Sequence, residues 1–294
     1  MKLIESKAEY IPQYTVPSAS PEVLIEGIYK MIELAGRTAY HSQDKITPDS
    51  AKDFVDRMIK SRHWAALEHG SVYLKVPCSI WREEEHEWVY MFPEALPCVS
   101  LDCDGKYWYV TTNFRHILEG NVGIKTMNEY LCSPTEFHEK RYTMRFTCSR
   151  AIAQELTRHR VFSFLMESQR YINYSKERHG GEITFIKPIW CPDYDETDWD
   201  IFLHSLHKAE ESYFKMLSKG FQSQQARDVL PNATKTELIM TGFSSDWRYL
   251  LDLRLFEKTG KVHPDMLSLM QKTQKTMQEA GIWDDIMKYP SKFD

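Results

Sequence analysis

The stretch YTMRFTCSRAIAQELTRHRVFSFLMESQRYINYS, residues 142–175, decides the fold because it joins the two kinds of element that build it. Its first eight residues, YTMRFTCS, predict a strand. The next, RAIAQELTRHR, predict a short amphipathic helix with Arg158 near its C-terminal end. The remaining residues, VFSFLMESQRYINYS, follow no single hydrophobic period, so we expect them to form a structured loop.

On the N-terminal side of this stretch, helices and strands are both predicted. The first helix begins at Ser20, which can cap it, has Pro21 in its first turn and ends at Gly36. The other predicted elements are a helix at about 49–61, an alternating strand at 71–76 and a strand at 106–114.

On the C-terminal side, the pattern turns helical. Gly180 and Gly181 mark a turn that leads into a strand at 182–188. Helices are then predicted at 198–219, 223–229, 234 to about 256, and 264–280. Because the strands lie mostly early and the helices mostly late, the α+β class is favoured over alternating βαβ units. We therefore predict a single domain over residues 1–294, with a mostly antiparallel sheet packed by helices and a helical C-terminal half.

The composition excludes several classes of protein. A net charge of −5 argues against a general nucleic-acid coat, because such a protein uses a broad basic surface. No apolar run approaches the roughly 20 residues that a membrane-spanning helix needs. We expect a cytoplasmic protein that binds small molecules and contacts neither nucleic acid nor membrane.

The sequence lacks the common motifs for metals, nucleotides and nucleophilic thiols. Its six cysteines have no CxxC spacing, and His63 and His69 flank Glu68 without forming HExxH, so we expect no metal. Neither GxGxxG after a predicted strand nor GxxxxGK[ST] occurs, so side chains must do any dinucleotide binding. The residues flanking Cys98 offer no base, which indicates an inert thiol.

The basic cluster Arg158, His159, Arg160 and Arg170 is the strongest candidate for a functional site. For an isolated RHR, surface ion pairs are the favoured interpretation. Here aromatic and apolar neighbours imply partial burial, where unpaired positive charge is costly. Guanidinium groups offer planar, bidentate donors to phosphate, so a bound anion resolves the conflict.

Arg158-His159-Arg160, followed after seven residues by Ser168, resembles the RHRx7S signature of the flavin-dependent thymidylate synthases. Five segments resemble family segments in family order: GRTAYHSQ (36–43), HWAALEHGSVYLKV (63–76), CSRAIAQELTRHR (148–160), QARDVLPNATKTEL (225–238) and LLDLR (250–254). They extend over nearly the whole chain except about 81–140, which looks like a variable insertion.

The resemblance implies a specific reaction. Bound FAD is reduced by NADPH, accepts the methylene carbon of 5,10-methylenetetrahydrofolate and passes it to C5 of dUMP, which gives dTMP. No enzyme nucleophile is required. Family members are homotetramers with sites at subunit interfaces, so we expect the same here. Two alternatives stay open: a flavin-dependent methyltransferase acting on another pyrimidine nucleotide, and a non-catalytic nucleotide- or RNA-binding protein.

The resemblance also implies residue roles. Arg254 is the expected catalytic residue, polarising the uracil ring at N3. The residues expected at dUMP are Glu155, Arg158, Glu167, Ser168, Gln169, Arg170, Arg227 and Arg254. Those expected at FAD are Arg158, His159, Arg160 and His63, and Glu68 matches a family residue near the flavin and folate. The chain departs from the family at Leu165-Met166, where many relatives have Asn-Glu, at Phe243-Ser244-Ser245, where many have Asn-x-Arg, and at Tyr249, which replaces Asn or His.

Overall fold

The computed structural model describes residues 1–13, 20–81, 92, 96–120, 122–176, 180–190 and 196–293. Its strands are β1 (Lys2–Ile4), β2 (Lys7–Ile11), β3 (Ser71–Pro77), β4 (Ser100–Cys103), β5 (Tyr107–Asn113), β6 (Arg141–Ser149), β7 (Ser163–Met166), β8 (Thr184–Ile186) and β9 (Lys235–Phe243). The helices are α1 (Pro21–Ala39), α2 (Ser50–Lys60), α3 (Trp64–Leu67), α4 (Cys78–Trp81), α5 (Phe114–Glu119), α6 (Gly123–Tyr130), α7 (Arg150–Leu156), α8 (Glu196–Ser218), α9 (Ser223–Ala226), α10 (Ser244–Arg254), α11 (Pro264–Glu279) and α12 (Trp283–Met287). Short 3-10 turns occupy Gln43–Lys45 and Arg227–Val229.

A four-stranded antiparallel sheet in the order β2-β6-β9-β7 forms the centre of the fold. Strands β6 and β9 pair along their whole length, from Arg141 opposite Phe243 to Ser149 opposite Lys235. Helices α10 and α11 pack against one face of this sheet, where Trp247 is fully buried. The sheet therefore holds the C-terminal helices against the centre of the chain.

Two further cores flank the central sheet. The antiparallel sheet β3-β5-β4 packs with α1, α2 and α3 around residues such as Ile32, Phe54 and Leu74. The parallel pair β1 and β8 packs against α8 around Phe185 and Tyr213. Among the described residues this is the one parallel pairing, so the predicted α+β class with mostly antiparallel sheets is confirmed.

The predicted helix from Thr234 to about Phe256 is wrong in its first half. Residues Lys235–Phe243 form the central strand β9, and the helix α10 begins only at Ser244. β9 lies between β6 and β7 and is buried on both faces. Its sequence therefore lacks the alternation of apolar and polar residues that is typical of a strand with one solvent-exposed face. The predicted loop after Arg160 is also partly wrong, because Ser163–Met166 form the edge strand β7.

Two smaller differences concern the N-terminal half. Helix α1 continues through Gly36 to Ala39, because the glycine provides space for the ring of Phe54 rather than ending the helix. Strand β3 is buried on both faces over most of its length and does not alternate. The domain limits and the insertion at about 81–140 stay predictions, and residues 82–91, 93–95 and 121 of that insertion lie outside the described residues.

Candidate functional site

The basic cluster lies in the turn that follows helix α7. The side chain of Ser149 caps this helix by accepting a hydrogen bond from the backbone N–H of Ile152 at 3.3 Å. The helix ends at Leu156, and the ring of His159 is buried while Arg158 and Arg160 are exposed. The expectation that the arginines are partly buried is therefore wrong for Arg158 and Arg160. The buried residue of the three is His159, which lies between them in the sequence.

His159 contacts Arg254, the last residue of α10. The Nε–H of Arg254 donates a hydrogen bond to Nε2 of His159 at 3.2 Å, which requires that this ring nitrogen carries no proton. Burial of the ring, together with the charge of Arg254, lowers the pKa of His159 to about 4. The imidazole is thus neutral near pH 7 and acts as an acceptor that fixes the orientation of the Arg254 guanidinium.

The carboxylate of Glu167 is held inside the chain, directly after β7. Its Oε1 lies 2.6 Å from Nδ1 of His41, and its Oε2 lies 3.1 Å from Nζ of Lys235. Burial alone would raise the pKa of Glu167, but the hydrogen bond from His41 and the charge of Lys235 lower it. The side chain of Glu167 is thus engaged within the chain, and so are two backbone N–H groups: that of Glu167 donates to the carbonyl of Glu237 at 2.8 Å, and that of Ser168 to the carbonyl of Ala39 at 3.0 Å. The dUMP contact at Glu167 stays a prediction.

Two further arginines, Arg150 and Arg227, are close enough to interact electrostatically. Arg227 begins the 3-10 turn after α9, and Arg150, the first residue of α7, was missed by sequence reasoning. Burial lowers the pKa of Arg150, and the positive charge of Arg227 lowers it further. The N-terminal end of a helix carries partial positive charge, so an arginine in the first turn is unfavourable there. This unusual position is the sequence signal that could have identified Arg150.

Gln169, in the loop after β7, is buried, and its side-chain amide interacts with the phenol of Tyr174. The side chains of Gln169, Arg150 and Glu167 all influence the phenol of Tyr174, whose pKa burial raises well above its usual range. Arg150 and Arg227 are cations of the kind that bind anions, although the Nε of Arg227 also lies 3.9 Å from the carboxylate of Asp228.

His63 lies at a separate aromatic surface. Its exposed ring stacks on Tyr40 with a centroid distance of 6.4 Å, and its Nδ1 lies 2.8 Å from the Tyr40 hydroxyl. Tyr40 in turn lies 5.7 Å from Tyr171, which follows Arg170. This surface connects the end of α1, the turn before α3 and the loop after β7. His41, next to Tyr40, has a φ of 49°, a conformation that is uncommon outside glycine.

The structure places the predicted residues in neighbouring groups and not in one cavity of a single chain. Arg160 lines a cavity of about 290 Å³, and Glu167 lines another of about 240 Å³. Arg170 is exposed over the ring of Tyr171, and the half-buried Glu155 lies on α7 one turn before Arg158.

Three further features of the chain bear on metals, membranes and reactive thiols. The described residues contain no group of three or more His, Cys, Asp or Glu side chains placed to hold a metal ion. No described helix is long and apolar enough to cross a membrane. Cys98 does have an imidazole nearby, since its Sγ lies 3.8 Å from Nδ1 of His116, but burial raises the pKa of its thiol.

Comparison with known proteins gives four matches: one family, two relatives and one solved structure. Residues 125–280 match a family described as "Thymidylate synthase complementing protein". The chain is 31% identical over 134 residues to the probable flavin-dependent thymidylate synthase of Paramecium bursaria Chlorella virus 1, covering 42% of this chain and 61% of that protein. It is 28% identical over 185 residues to the flavin-dependent thymidylate synthase of Pyrococcus furiosus, covering 61% and 72% of the two chains. The match thus spans less than two thirds of the viral relative.

A solved structure of a UMP/dUMP methylase from Streptomyces cacaoi, bound with 5-Br dUMP, aligns over 98% of this chain and 96% of that one, with a TM-score of 0.43 and 17% identity.

Proposed function

The chain belongs to the thymidylate synthase complementing protein family, and from this premise we propose that it is a flavin-dependent thymidylate synthase. It would methylate dUMP to dTMP, with 5,10-methylenetetrahydrofolate as the carbon donor and NADPH as the reductant. The observation that carries the proposal beyond family membership is the hydrogen bond from Arg254 to the neutral ring of His159 at 3.2 Å.

The role of Arg254 follows from the chemistry of uracil. C5 of the ring becomes nucleophilic as negative charge builds on the ring. A fixed cation beside N3 and its carbonyls stabilises that charge without a covalent adduct. Because Nε of Arg254 is held by His159, the orientation of the guanidinium plane is set before substrate binds. The remaining N–H groups of Arg254 are then available to the ring edge.

Arg150 and Arg227 are suited to the phosphate of dUMP. Burial and the charge of Arg227 both disfavour the charged form of Arg150, and an anion with charge near −2 would offset this cost. The Nε of Arg227 also lies 3.9 Å from the carboxylate of Asp228. Gln169 and Arg150 both influence the phenol of Tyr174, so the buried amide lies in the same region as Arg150. The ionised Glu167 positions the loop after β7 through His41 and Lys235.

The residues present also fit a flavin. Arg158 and Arg160 are exposed, and neither pairs with a carboxylate in the described part of the chain, so both can bind phosphate or the polar edge of a flavin ring. The rings of His63, Tyr40 and Tyr171 offer a surface on which a planar ring can stack. When bound, FAD supplies the redox chemistry by carrying reducing equivalents from NADPH to the transferred carbon.

The placement of the predicted site residues in more than one cavity is consistent with a homotetramer. Arg160 and Glu167, both predicted at the ligands, line different cavities of one chain. A site at an interface can combine groups from neighbouring copies, as the family resemblance implies. Light scattering on the purified protein at several concentrations would measure the assembly state.

The test combines a spectrum with a turnover assay. The purified protein, or protein reconstituted with FAD, should show flavin absorbance that changes on addition of dUMP. With NADPH and methylenetetrahydrofolate it should release tritium from [5-³H]dUMP, and dCMP and UMP serve as the comparison substrates. A protein that cannot be loaded with FAD would contradict the proposal. A flavoprotein that turns over UMP or dCMP in preference to dUMP would favour the alternative substrate.

A further inference from the structure

Cys78 and Cys103 place two thiols side by side at one end of the sheet β3-β5-β4. Their sulfur atoms lie 3.6 Å apart, although the two residues are 25 positions apart in the sequence. Cys78 directly follows β3, and Cys103 is the last residue of β4. Because a disulfide bond is about 2.05 Å long, the sulfurs need to approach by only about 1.5 Å to be joined. Rotation of the two side chains about their Cα–Cβ bonds is the motion that brings them together.

The backbone that carries the two thiols is held by its own hydrogen bonds. The backbone N–H of Cys78 donates to the carbonyl of Lys106 at 3.0 Å, in the turn between β4 and β5. Asp104 fixes this turn, since its Oδ1 accepts from the backbone N–H groups of Lys106 and Tyr107 at 2.8 Å and 2.7 Å. None of these contacts uses a sulfur atom, so they hold Cys78 beside Cys103 whatever the chemical state of the thiols.

Both thiols are accessible to a small reagent, and Cys103 has a contact that favours its reactive form. Each of the two side chains is half-buried. The Sγ of Cys103 accepts a hydrogen bond from the backbone N–H of Gly105 at 3.3 Å. A hydrogen bond to sulfur favours the thiolate, which is the nucleophile in thiol–disulfide exchange.

Charged groups of both signs lie at this end of the sheet. The carboxylates of Asp102 and Asp104 flank Cys103 in the sequence, and both accept hydrogen bonds from backbone N–H groups. The ammonium groups of Lys75 and Lys106 lie 4.3 Å and 5.4 Å from the centre of the Tyr107 ring. The selectivity of the pair therefore rests on the short distance between its sulfurs and not on a local excess of charge.

The other described cysteines are poorly suited to exchange. Burial raises the pKa of Cys132 and of Cys148 to about 12, and it also raises the pKa of Cys98. Thiols of this kind stay protonated near pH 7 and are weak nucleophiles. Cys191 lies outside the described residues.

We propose that Cys78 and Cys103 form a reversible redox site, at which a low-molecular-weight disulfide such as oxidised glutathione converts the two thiols into a protein disulfide. One protein thiolate attacks a sulfur of the small disulfide and expels a small thiolate, which leaves a mixed disulfide. The second protein thiol then attacks the protein sulfur of the mixed disulfide and expels the other small thiolate. The protein loses two electrons and two protons, and the small disulfide becomes two small thiols. In a reducing compartment the protein thiols persist until the small disulfide accumulates.

The cross-link would restrain β4 and the chain that leads into it. In the described part of the chain, β4 lies at the edge of its sheet and pairs with β5 only. A bond from Cys103 to Cys78 would also tie it to the end of β3. Pro97 and Cys98, which lie between the two cysteines in the sequence, line the cavity of about 290 Å³. The redox state of the pair would thus act on one wall of that cavity. The inference does not depend on the flavin proposal.

Mass mapping of the purified full-length chain tests the proposal. The protein is equilibrated with mixtures of oxidised and reduced glutathione, and the remaining thiols are then blocked by alkylation. In oxidising mixtures the wild type should give a pair of peptides joined through Cys78 and Cys103, and excess reduced glutathione should remove this bond. If both cysteines are alkylated at every ratio, or if they are joined to other cysteines instead, the proposal is overturned.

Two variants separate the proposed pair from general oxidation. Cys132→Ser is the matched control, because Cys132 is also half-buried beside β3, where its backbone N–H donates to the carbonyl of Tyr73 at 3.0 Å. It should form the same cross-link as the wild type. In Cys103→Ser, Cys78 should be found alkylated or bound to glutathione. Efficient joining of Cys78 to another protein cysteine in this variant would contradict the proposal.

Hydrogen exchange of the wild type measures the restraint without any variant. The backbone N–H groups of β4 should exchange several-fold more slowly in the oxidised protein than in the reduced protein, because local opening of the edge strand is restricted. Those of β9, which lies in the central sheet, should exchange at similar rates in both. Equal exchange rates at β4 in the two states would show that the cross-link does not act on the cavity wall and would overturn that part of the proposal.

Discussion

At the scale of single residues, the pairing of Arg254 with His159 is the most informative contact. A histidine beside an arginine is an unusual partner, since protonation of the ring would place two like charges 3.2 Å apart. Burial keeps the ring neutral, with its pKa lowered to about 4. His159 can then hold Arg254 without neutralising it, which leaves the full positive charge for a substrate.

The first prediction concerns Arg254 itself. Arg254→Ala should lower kcat for dUMP by about 10²–10³-fold, the usual effect of removing one donor that stabilises charge in a transition state. The dissociation constant for dUMP should change much less, because the proposed phosphate contacts of Arg150 and Arg227 remain. Single-turnover kinetics and equilibrium binding measure the two effects separately.

Arg254→Lys provides the matched comparison. It keeps the charge but loses the planar fork, so it should recover only a small part of the lost rate. Unchanged turnover in Arg254→Ala would remove Arg254 from the proposed role, and full activity of Arg254→Lys would show that charge alone suffices.

The sequence identified residues better than it identified what their side chains do. Arg158, His159 and Arg160 were identified from their spacing, but the pattern could not predict that only the histidine is buried. Glu167 was expected at the nucleotide, yet its carboxylate is held by His41 and Lys235. These partners lie 126 and 68 residues away in the chain, so no local pattern could reveal them.

At the scale of elements, the largest difference between expectation and structure is β9. Its residues combine apolar side chains on both faces, which a local pattern cannot distinguish from a buried helix. Its identity as a strand depends on β6 and β7, which pair with it from distant parts of the sequence. By contrast, α2 and α11 lie within one residue of their predicted limits, because an amphipathic face and clear end signals are local properties.

The second prediction concerns the packing of α1 against α2. A Cβ at Gly36 would lie 2.5 Å from Cζ of Phe54, whose ring is 2% exposed. Gly36→Ala should therefore lower the free energy of unfolding by about 1–2 kcal/mol, because the overpacking exceeds the gain in helix propensity. Urea denaturation of the variant measures this change.

A double-mutant cycle separates the clash from other effects. Phe54→Leu alone should be destabilising because it leaves a space in the core. In the double variant, the methyl group added by Gly36→Ala occupies part of that space, so the combined loss should be smaller than the sum of the single losses. Strictly additive losses would show that Gly36 is needed for a reason other than the ring of Phe54.

At the scale of the whole molecule, three buried histidines in different parts of the fold make its stability sensitive to acid. Burial lowers the pKa of His69 to about 3 and that of His138 to about 4, and burial with the charge of Arg254 lowers that of His159 to about 4. His69 joins α3 to β9 through the hydroxyl of Thr241, and His138 lies beside the carbonyl of Leu74 on β3. Burial therefore favours the neutral form of each ring in the folded state.

The third prediction is that stability falls as the pH is lowered from about 6.5 toward 4. Below their ordinary pKa of about 6.5, all three histidines take up protons in the unfolded chain but not in the folded one, so acid favours unfolding. Asp246 opposes this trend, because burial raises its pKa to about 6 and the folded state holds that proton more tightly. For these four groups together, unfolding near pH 5 is accompanied by a net uptake of about two protons. The free energy of unfolding should then fall by about 2–3 kcal/mol per pH unit in that region.

Urea denaturation at pH 7, 6 and 5, at fixed protein concentration, measures this dependence of the unfolding free energy on pH. His138→Gln removes one of the groups that take up a proton, so it should reduce the slope by the equivalent of about one proton. A stability that is constant or rises on acidification would contradict the assignment of neutral histidines to the three positions.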